Sequence, residues 1–253
     1  MKKILLALIF AVQSLIGTEV IAAPLPLCVT GSLSSYTALG SGGCTIGSFQ
    51  FSNFVLLPLI TGATSFASLI IAPVTVGTSA VGLDFRVNAT AGPNVFFDNL
   101  ISYRVTGLGA SINGASLFIS GTSPIGDATA TAVENLCLAG RFAGLDGVTG
   151  CTGMPVGPLV VTDFGGFADL PSVPDPTMSL DFPSASSLAV VTDIGLDGGI
   201  DGTGSDKLAF AGNRFFVAPA AVPEPASILL IVAGLLVLFG YRAARPLRAS
   251  RLL

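Results

Sequence analysis

The residues best suited to chemistry in this sequence are four aspartates in a glycine-rich stretch: Asp193, Asp197, Asp201 and Asp206. Calcium binds several carboxylate and carbonyl oxygens at once, and flexible glycine-rich loops can supply both. The spacing of these carboxylates differs from that of an EF-hand loop, and a Gly/Asp stretch between two strands is also an ordinary turn. We therefore predict that the protein holds no metal, and a calcium site at the four aspartates is the alternative.

Catalytic groups are sparse in the rest of the sequence. The chain has no histidine, which excludes a Ser-His-Asp or Cys-His arrangement. Two carboxylates could still perform acid–base catalysis, as they do in glycosidases. The candidates Asp84, Asp98, Asp127 and Glu134 are scattered along the chain, and no local pattern joins two of them. We expect a protein that is not an enzyme and that needs no cofactor.

The four cysteines, Cys28, Cys44, Cys137 and Cys151, all lie between two hydrophobic chain ends. A zinc site would need closely spaced cysteines or histidine, and the sequence has neither. An even number of cysteines in an exported segment favours disulfides instead. We predict two disulfides. The sequence leaves three pairings open, of which the local one closes two loops of about 15 residues, each worth roughly 3 kcal/mol in the chain-entropy model.

The charge of the central region excludes one large class of partners. Residues 24–219 contain 13 acidic and five basic residues, a net charge of −8. Binding to nucleic acid requires clustered lysine and arginine, because the phosphates must be neutralised. We therefore expect no nucleic-acid partner.

The central region has the apolar periodicity of β-strands. Apolar Ile101, Tyr103 and Val105 alternate with polar residues, which indicates a strand with one buried face. Similar short runs are separated by Gly, Pro, Asn and Asp, and helical periodicity is nearly absent. Nine strands are predicted, over residues 48–54, 65–72, 83–87, 101–106, 116–120, 128–138, 159–164, 188–194 and 207–217.

This pattern predicts an all-β domain over residues 24–219, an antiparallel β-sandwich with jelly-roll-like form. Residues 155–183 hold six prolines, and we interpret them as connecting loop around a single edge strand. The Gly/Ser-rich segment between Cys28 and Cys44 is also interpreted as loop. Residues 220–225 are rich in proline and alanine, which predicts an extended linker after the domain.

Residues 1–23 have the three parts of a secretory signal peptide. Lys2 and Lys3 form a positive start, residues 4–16 form a short apolar segment, and small residues follow at Ala22 and Ala23. We predict export by the general secretion machinery with cleavage after Ala22 or Ala23. The alternative is an uncleaved anchor, but the apolar segment is short for a membrane span.

The C-terminal end predicts a membrane helix. Residues 226–241 carry no charge and are followed by Arg242, Arg245 and Arg248. The apolar run is shorter than the ~20 residues of a typical span, but snorkelling arginines extend its reach. Positive residues remain in the cytoplasm, so we predict a transmembrane helix over 226–241, a cytoplasmic tail over 242–253 and the β domain outside.

The residues around this helix resemble a known sorting signal. A Pro-Glu-Pro motif, an apolar helix and an arginine cluster follow one another, as in PEP-CTERM proteins, with the motif residues Val222, Pro223, Glu224, Pro225 and Ser227. The arginines here are spread out, whereas those of the family are adjacent. The resemblance implies an exported protein of an exopolysaccharide-producing Gram-negative bacterium. It also implies that an exosortase, an integral-membrane transpeptidase-like enzyme, cuts the tail near Pro-Glu-Pro.

Together these features predict a surface or exopolysaccharide-matrix protein of a biofilm, with a structural or adhesive role. The sequence keeps a carbohydrate-binding or calcium-binding module as the alternative. A carbohydrate-binding module would use Tyr36, Tyr103 and exposed phenylalanines as a stacking platform for sugars. The chain has no tryptophan and three tyrosines, which argues against that alternative.

Overall fold

The computed structural model describes residues 24–57, 63–144, 149–164, 176–200 and 202–218. The predicted signal peptide, linker, C-terminal helix and basic tail lie outside these residues and stay predictions. Among the described residues, no helix is long and apolar enough to cross a membrane. The chain divides into two compact units, Met1–Val217 and Ala218–Leu253, and the fold described below belongs to the first.

The described part of the chain contains twelve strands and one short helix, α1, at Leu33–Ala38. The strands are β1 Gly31–Ser32, β2 Cys44–Ile46, β3 Phe49–Leu56, β4 Ile70–Val76, β5 Ala80–Ala91, β6 Phe96–Gly107, β7 Ile112–Ser120, β8 Thr129–Leu138, β9 Met154–Phe164, β10 Thr177–Ala185, β11 Ser187–Asp197 and β12 Asp206–Val217.

The strands form two six-stranded antiparallel sheets. The order in the first sheet is β1-β4-β5-β12-β7-β10, and the order in the second sheet is β2-β3-β6-β11-β8-β9. From β5 onward the pairing is nested, because β5 lies beside β12, β6 beside β11, β7 beside β10 and β8 beside β9. Eight strands paired in this way have the connectivity of a jelly roll. The prediction of an all-β antiparallel fold is confirmed, and this strand order fits its jelly-roll form.

Alternation along β6 shows how the sequence builds a two-faced sheet. Ile101, Tyr103 and Val105 are buried, whereas Ser102 and Arg104 between them are partly exposed. Side chains along a strand point alternately to opposite faces, so one face of β6 lies in the core and the other meets solvent. Ser102 and Arg104 therefore lie on the outer face of the second sheet.

Aromatic side chains connect the two sheets across the core. Phe51 of the second sheet and Phe215 of the first have ring centroids 6.1 Å apart. Phe85 of the first sheet lies 6.0 Å from Tyr103 of the second, which stacks on Phe54 at 5.2 Å. Such ring pairs contribute about 1 kcal/mol each beyond the burial of their area. The inward faces of both sheets thus share one core, as a sandwich requires.

Two disulfides hold the loops of this domain. Cys28 is bonded to Cys44, and Cys137 is bonded to Cys151. The structure therefore selects the local pairing from the three that the sequence left open. The first disulfide ties the segment before β1 to β2, and the second closes the connection between β8 and β9.

Three local predictions are wrong. The proline-rich stretch interpreted as loop contains a second strand, β10, which pairs with β7. The strand predicted over 65–72 begins only at Ile70. The segment between Cys28 and Cys44, interpreted as loop, contains α1, where the Ser32 side chain accepts a hydrogen bond from the Ser35 amide as an N-cap.

Replacing Gly82 by alanine should destabilise the domain strongly. Gly82 lies in β5 between β4 and β12, and a β-carbon there would meet the Asn213 carbonyl oxygen at 1.8 Å. Backbone must move to relieve this contact, so we expect a loss of about 3 kcal/mol or more in the free energy of unfolding. Urea unfolding of the purified mature protein measures it.

The matched control is Gly92→Ala, since a β-carbon at Gly92 would have no heavy atom within 4 Å. This variant should unfold within about 0.5 kcal/mol of the wild type. Equal stability of the two variants would show that β5 tolerates a side chain at Gly82.

Candidate functional site

The outer face of the second sheet carries two clefts, each built on β6 and β11. The first has a volume of about 230 Å³ and is lined by Phe96, Asp98, Thr129, Thr131, Val133, Asp193, Gly195 and Asp197. Strand pairing sets Gly195 between Asp98 and Thr131. Because glycine has no side chain, the floor of the cleft stays open between its neighbours.

Two carboxyl groups form a pair in the first cleft. Asp98 is 2% exposed, and its Oδ2 accepts no hydrogen bond from an amide or an alcohol of the described residues. Burial, followed by the hydrogen bond and the charge of Asp98, raises the pKa of Asp193 to about 7. Asp193 therefore keeps its proton to higher pH than an exposed aspartate does. A carboxyl–carboxylate pair beside two threonines can hydrogen-bond the hydroxyl groups of a ligand.

The second cleft lies towards the other end of β6 and has a volume of about 330 Å³. Its charged lining residues are Arg104 of β6 and Arg141 of the loop after β8. The Arg104 guanidinium donates hydrogen bonds to the Gly140 carbonyl oxygen at 3.2 Å and to the Ser187 hydroxyl at 2.8 Å. We call this region the arginine cleft.

The aspartates predicted as the calcium alternative have separate roles. Asp193 and Asp197 line the first cleft, whereas Asp206 is 1% exposed and its Oδ1 accepts from the Ser123 amide at 3.0 Å. Asp201 lies outside the described residues. Within the described ranges, no group of three or more His, Cys, Asp or Glu residues could hold a metal ion.

Asp127 and Asp197 hold the backbone of the glycine-rich stretch through hydrogen bonds. The Asp197 Oδ1 accepts a hydrogen bond from the Gly199 amide at 2.9 Å, and the Asp127 Oδ2 accepts one from the Ile200 amide at 2.8 Å. Carboxylates that accept from successive backbone amides are typical of turns. These contacts favour the turn interpretation of the stretch.

The proposed tyrosine platform for sugars is wrong. Tyr36 and Tyr103 are each 2% exposed and lie in the core. Tyr36 packs edge-on against Phe54, and its hydroxyl donates to the Val29 carbonyl oxygen at 2.9 Å. The sequence showed aromatic residues on alternating positions, but only the pairing of strands determined which face was buried.

Sequence reasoning missed the two groupings that the strand pairing creates. Asp98 and Asp193 are far apart in the chain and meet because β6 pairs with β11. Arg104 and Arg141 meet because the loop after β8 reaches over the same face of the sheet. Local spacing contains no signal for either contact.

Comparison with known proteins concerns the C-terminal end. Residues 221–245 match the family model of the PEP-CTERM protein-sorting motif. The chain carries a PEP-CTERM sorting motif. The resemblance seen in the sequence is thereby confirmed, and the motif supports an exported exosortase substrate with a membrane-anchored sorting intermediate. Searches of curated proteins and of solved structures gave no significant match.

The PEP-CTERM motif and the β domain are separate parts of this chain. The motif covers 25 residues, all of them outside the described part of the structure, and identifies exosortase as the processing partner. The domain between residues 24 and 218 carries both clefts. The tail therefore carries the sorting signal, and the β domain carries the clefts that could bind a ligand.

Proposed function

We propose that this protein is a non-enzymatic component of the cell surface or exopolysaccharide matrix of a Gram-negative bacterium, with a structural or adhesive role in biofilm. The observation that carries the proposal is the PEP-CTERM motif at residues 221–245, joined to a folded all-β domain. In this proposal the general secretion machinery exports the chain, the helix over 226–241 holds it in the membrane, and exosortase then releases the domain.

The construction of the domain suits an extracellular protein with a mechanical or adhesive role. Both cysteine pairs are oxidised, which is typical of an oxidising compartment. Their cross-links limit the unfolded state and stabilise the fold, and the sheets enclose an extensive aromatic core. The lack of histidine supports a role without catalysis.

Intact mass spectrometry of the protein recovered from the matrix fraction tests this proposal. We expect a species that lacks residues 1–22 or 1–23, ends near Pro223–Pro225, and is lighter by two hydrogens for each of two disulfides. A deletion strain should attach less firmly to surfaces, and a plasmid copy should restore attachment. Recovery of the full-length, reduced chain from the cell interior would contradict the proposal.

A carbohydrate-binding role is the second candidate, and the clefts on one sheet face favour it. Small-molecule sites are concave and combine apolar walls with a few polar groups, which both clefts do. The calcium alternative has weaker support, since its described aspartates are divided between a cleft and a buried position. Adhesion and carbohydrate binding are compatible, because an adhesive matrix protein needs a ligand in the matrix.

A further inference from the structure

We propose that the arginine cleft binds the carboxylate groups of acidic sugars, such as the uronic acid units of a polysaccharide. The inference rests on the proposed function in one respect, namely that a surface or matrix location brings such a polymer within reach. The chemistry of binding is argued below from the cleft itself.

Among the residues that the structure describes, no carboxylate balances the positive charge of the cleft. In the described parts of the chain, neither Arg104 nor Arg141 has a carboxylate within salt-bridge distance, whereas Arg214 pairs with Asp84 at 2.8 Å. The cleft is lined by Asn53, Leu57, Ser102, Tyr103, Arg104, Arg141, Phe142, Ala143, Gly144, Ala189 and Val191, which include no acidic residue. Two arginines without a described acidic partner thus line one cleft of a domain whose sequence carries a net charge of −8. An anionic ligand would supply the missing charge.

Arg104 is held in position before any ligand arrives. Its hydrogen bonds to the Gly140 carbonyl and the Ser187 hydroxyl occupy two N–H groups, and a guanidinium has about five. The remaining donors can meet a carboxylate in the paired geometry that arginine favours. A side chain already fixed loses less conformational entropy on binding. Its partial burial also strengthens the attraction, because screening by water is weaker there.

Arg141 forms the rim of the cleft on a stapled loop. The disulfide between Cys137 and Cys151 closes this loop, and Arg141 and Thr152 exchange hydrogen bonds at 3.0 and 3.1 Å. The Ala143 amide donates to the Gly150 carbonyl at 3.0 Å further along. The backbone of Arg141 is therefore fixed while its side chain remains exposed. A ligand in the cleft would lie between the fixed guanidinium of Arg104 on the sheet and the exposed side chain of Arg141 at the rim.

The remaining lining suits a sugar ring. Phe142 and Leu57 offer apolar surface to ring C–H groups, while Ser102 and Asn53 offer hydrogen-bonding groups to hydroxyls. The volume of about 330 Å³ is at the lower end of small-ligand sites, so it admits a short segment of a polymer. The acidic remainder of the domain would repel a densely charged polyanion such as nucleic acid. A single chain of acidic sugars carries at most one charge per ring, which is a lower charge density than that of a nucleic-acid duplex.

Calorimetric titration of the purified mature protein with polygalacturonate oligomers tests the inference. The matched probe is the same oligomer after chemical reduction of its carboxyl groups. We expect saturable binding to the acidic oligomer that weakens as salt increases, and at least tenfold weaker binding to the reduced one, since charge-assisted hydrogen bonds contribute about 1.5–3 kcal/mol.

Three variants locate the binding. Arg104→Gln should lower the affinity about tenfold or more, and Arg141→Ala about threefold to tenfold, because its exposed charge is better screened. Arg86→Ala is the control, since Arg86 is exposed on β5 of the other sheet and its loss changes the net charge equally. It should keep the wild-type affinity. Arg141→Ala removes an exposed side chain, so its result does not depend on whether Arg104→Gln folds.

The inference fails if the wild type does not bind the acidic oligomer, if the reduced oligomer binds equally well, or if Arg86→Ala weakens binding as much as Arg141→Ala. Failure of the proposed function looks different. A protein that binds the oligomer but is absent from the surface and matrix would contradict the proposed location and leave the cleft assignment intact. A matrix protein that binds no acidic oligomer would contradict the cleft assignment and leave the proposed location intact.

Discussion

Replacing Glu224 and Pro225 together by alanine should leave the protein in the membrane as an uncleaved intermediate. Because proline fixes its own φ and disfavours helix at the residue before it, the sequence predicts an extended segment around Glu224 for an enzyme to bind. Without that motif, exosortase should no longer recognise the tail. The uncleaved form should then change from a minor to the dominant species.

The uncleaved chain should remain anchored for a physical reason. Arg242, Arg245 and Arg248 follow the apolar segment, and moving an arginine to the bilayer centre costs about 3 kcal/mol even on insertion scales. The predicted helix should therefore stay in the membrane until the chain is cut. Membrane fractionation followed by intact mass spectrometry measures the ratio of cut to uncut protein.

Pro219→Ala is the matched control, because this proline lies just outside the matched residues 221–245. It should be released like the wild type. Unchanged release of the Glu224→Ala/Pro225→Ala protein would show that the motif does not direct sorting.

Replacing Glu134 by glutamine should remove much of the pH dependence of folding and stabilise the domain in alkali. Glu134 is completely buried on β8, and its Oε2 accepts hydrogen bonds from the Asn213 amide at 3.0 Å and the Thr192 hydroxyl at 3.4 Å. The Asn213 amide also contacts the Tyr103 hydroxyl. These four side chains form a polar network that connects the two sheets within the core.

Burial raises the pKa of Glu134 to about 8, although the hydrogen bonds from Asn213 and Thr192 lower it in part. Between pH 4.5 and 8 the unfolded chain loses this proton while the folded chain keeps it. The unfolded state is stabilised in that window, so the free energy of unfolding falls as pH rises, by about 1.4 kcal/mol per pH unit. Above pH 8 the free energy of unfolding falls no further on account of Glu134.

Glutamine has nearly the same shape and cannot ionise. We therefore expect Glu134→Gln to unfold with similar free energy at pH 5 and to exceed the wild type by roughly 3–5 kcal/mol at pH 9. Urea unfolding across this range is the measurement. Asp193 and Asp206 have pKa values raised to about 7 and about 6, and they give both proteins a residual slope of the same sign.

Asp181→Asn is the control for this experiment. Asp181 is exposed on β10, so its replacement removes one carboxylate without touching the core. Its stability profile should keep the wild-type slope. A glutamine variant at position 134 that retains that slope would show that Glu134 is not the group whose ionisation opposes folding.

Much of the fold was predictable from local pattern. The alternation along β6 predicted that strand, because a half-buried strand needs a period of two. The strand β10 was missed since its neighbouring prolines resemble loop and most of its side chains are exposed, which leaves little apolar alternation to detect. The helix α1 was missed because six residues are too few to show helical periodicity.

The candidate site was not predictable in the same way. Asp98 and Asp193 are nearly 100 residues apart, and their contact depends on the register of β6 with β11. A shift of one residue in that register would turn one of the two carboxylates to the other face of the sheet. Glu134, too, is an ordinary carboxylate in the sequence and becomes a buried acid only when both sheets close over it.

The sequence by itself determined where this protein is sent. The sorting signal is contiguous in the sequence. The order of Pro-Glu-Pro, apolar segment and arginines therefore identifies it without knowledge of the fold. Only the tertiary structure determined which side chains of the domain are placed to bind a ligand. Strand pairing and the disulfide between Cys137 and Cys151 bring Arg104 and Arg141 to one cleft, and they bury the tyrosines that the sequence had suggested as a binding surface. Contacts between distant residues depend on the register and packing of whole sheets, and no local pattern of residues specifies those.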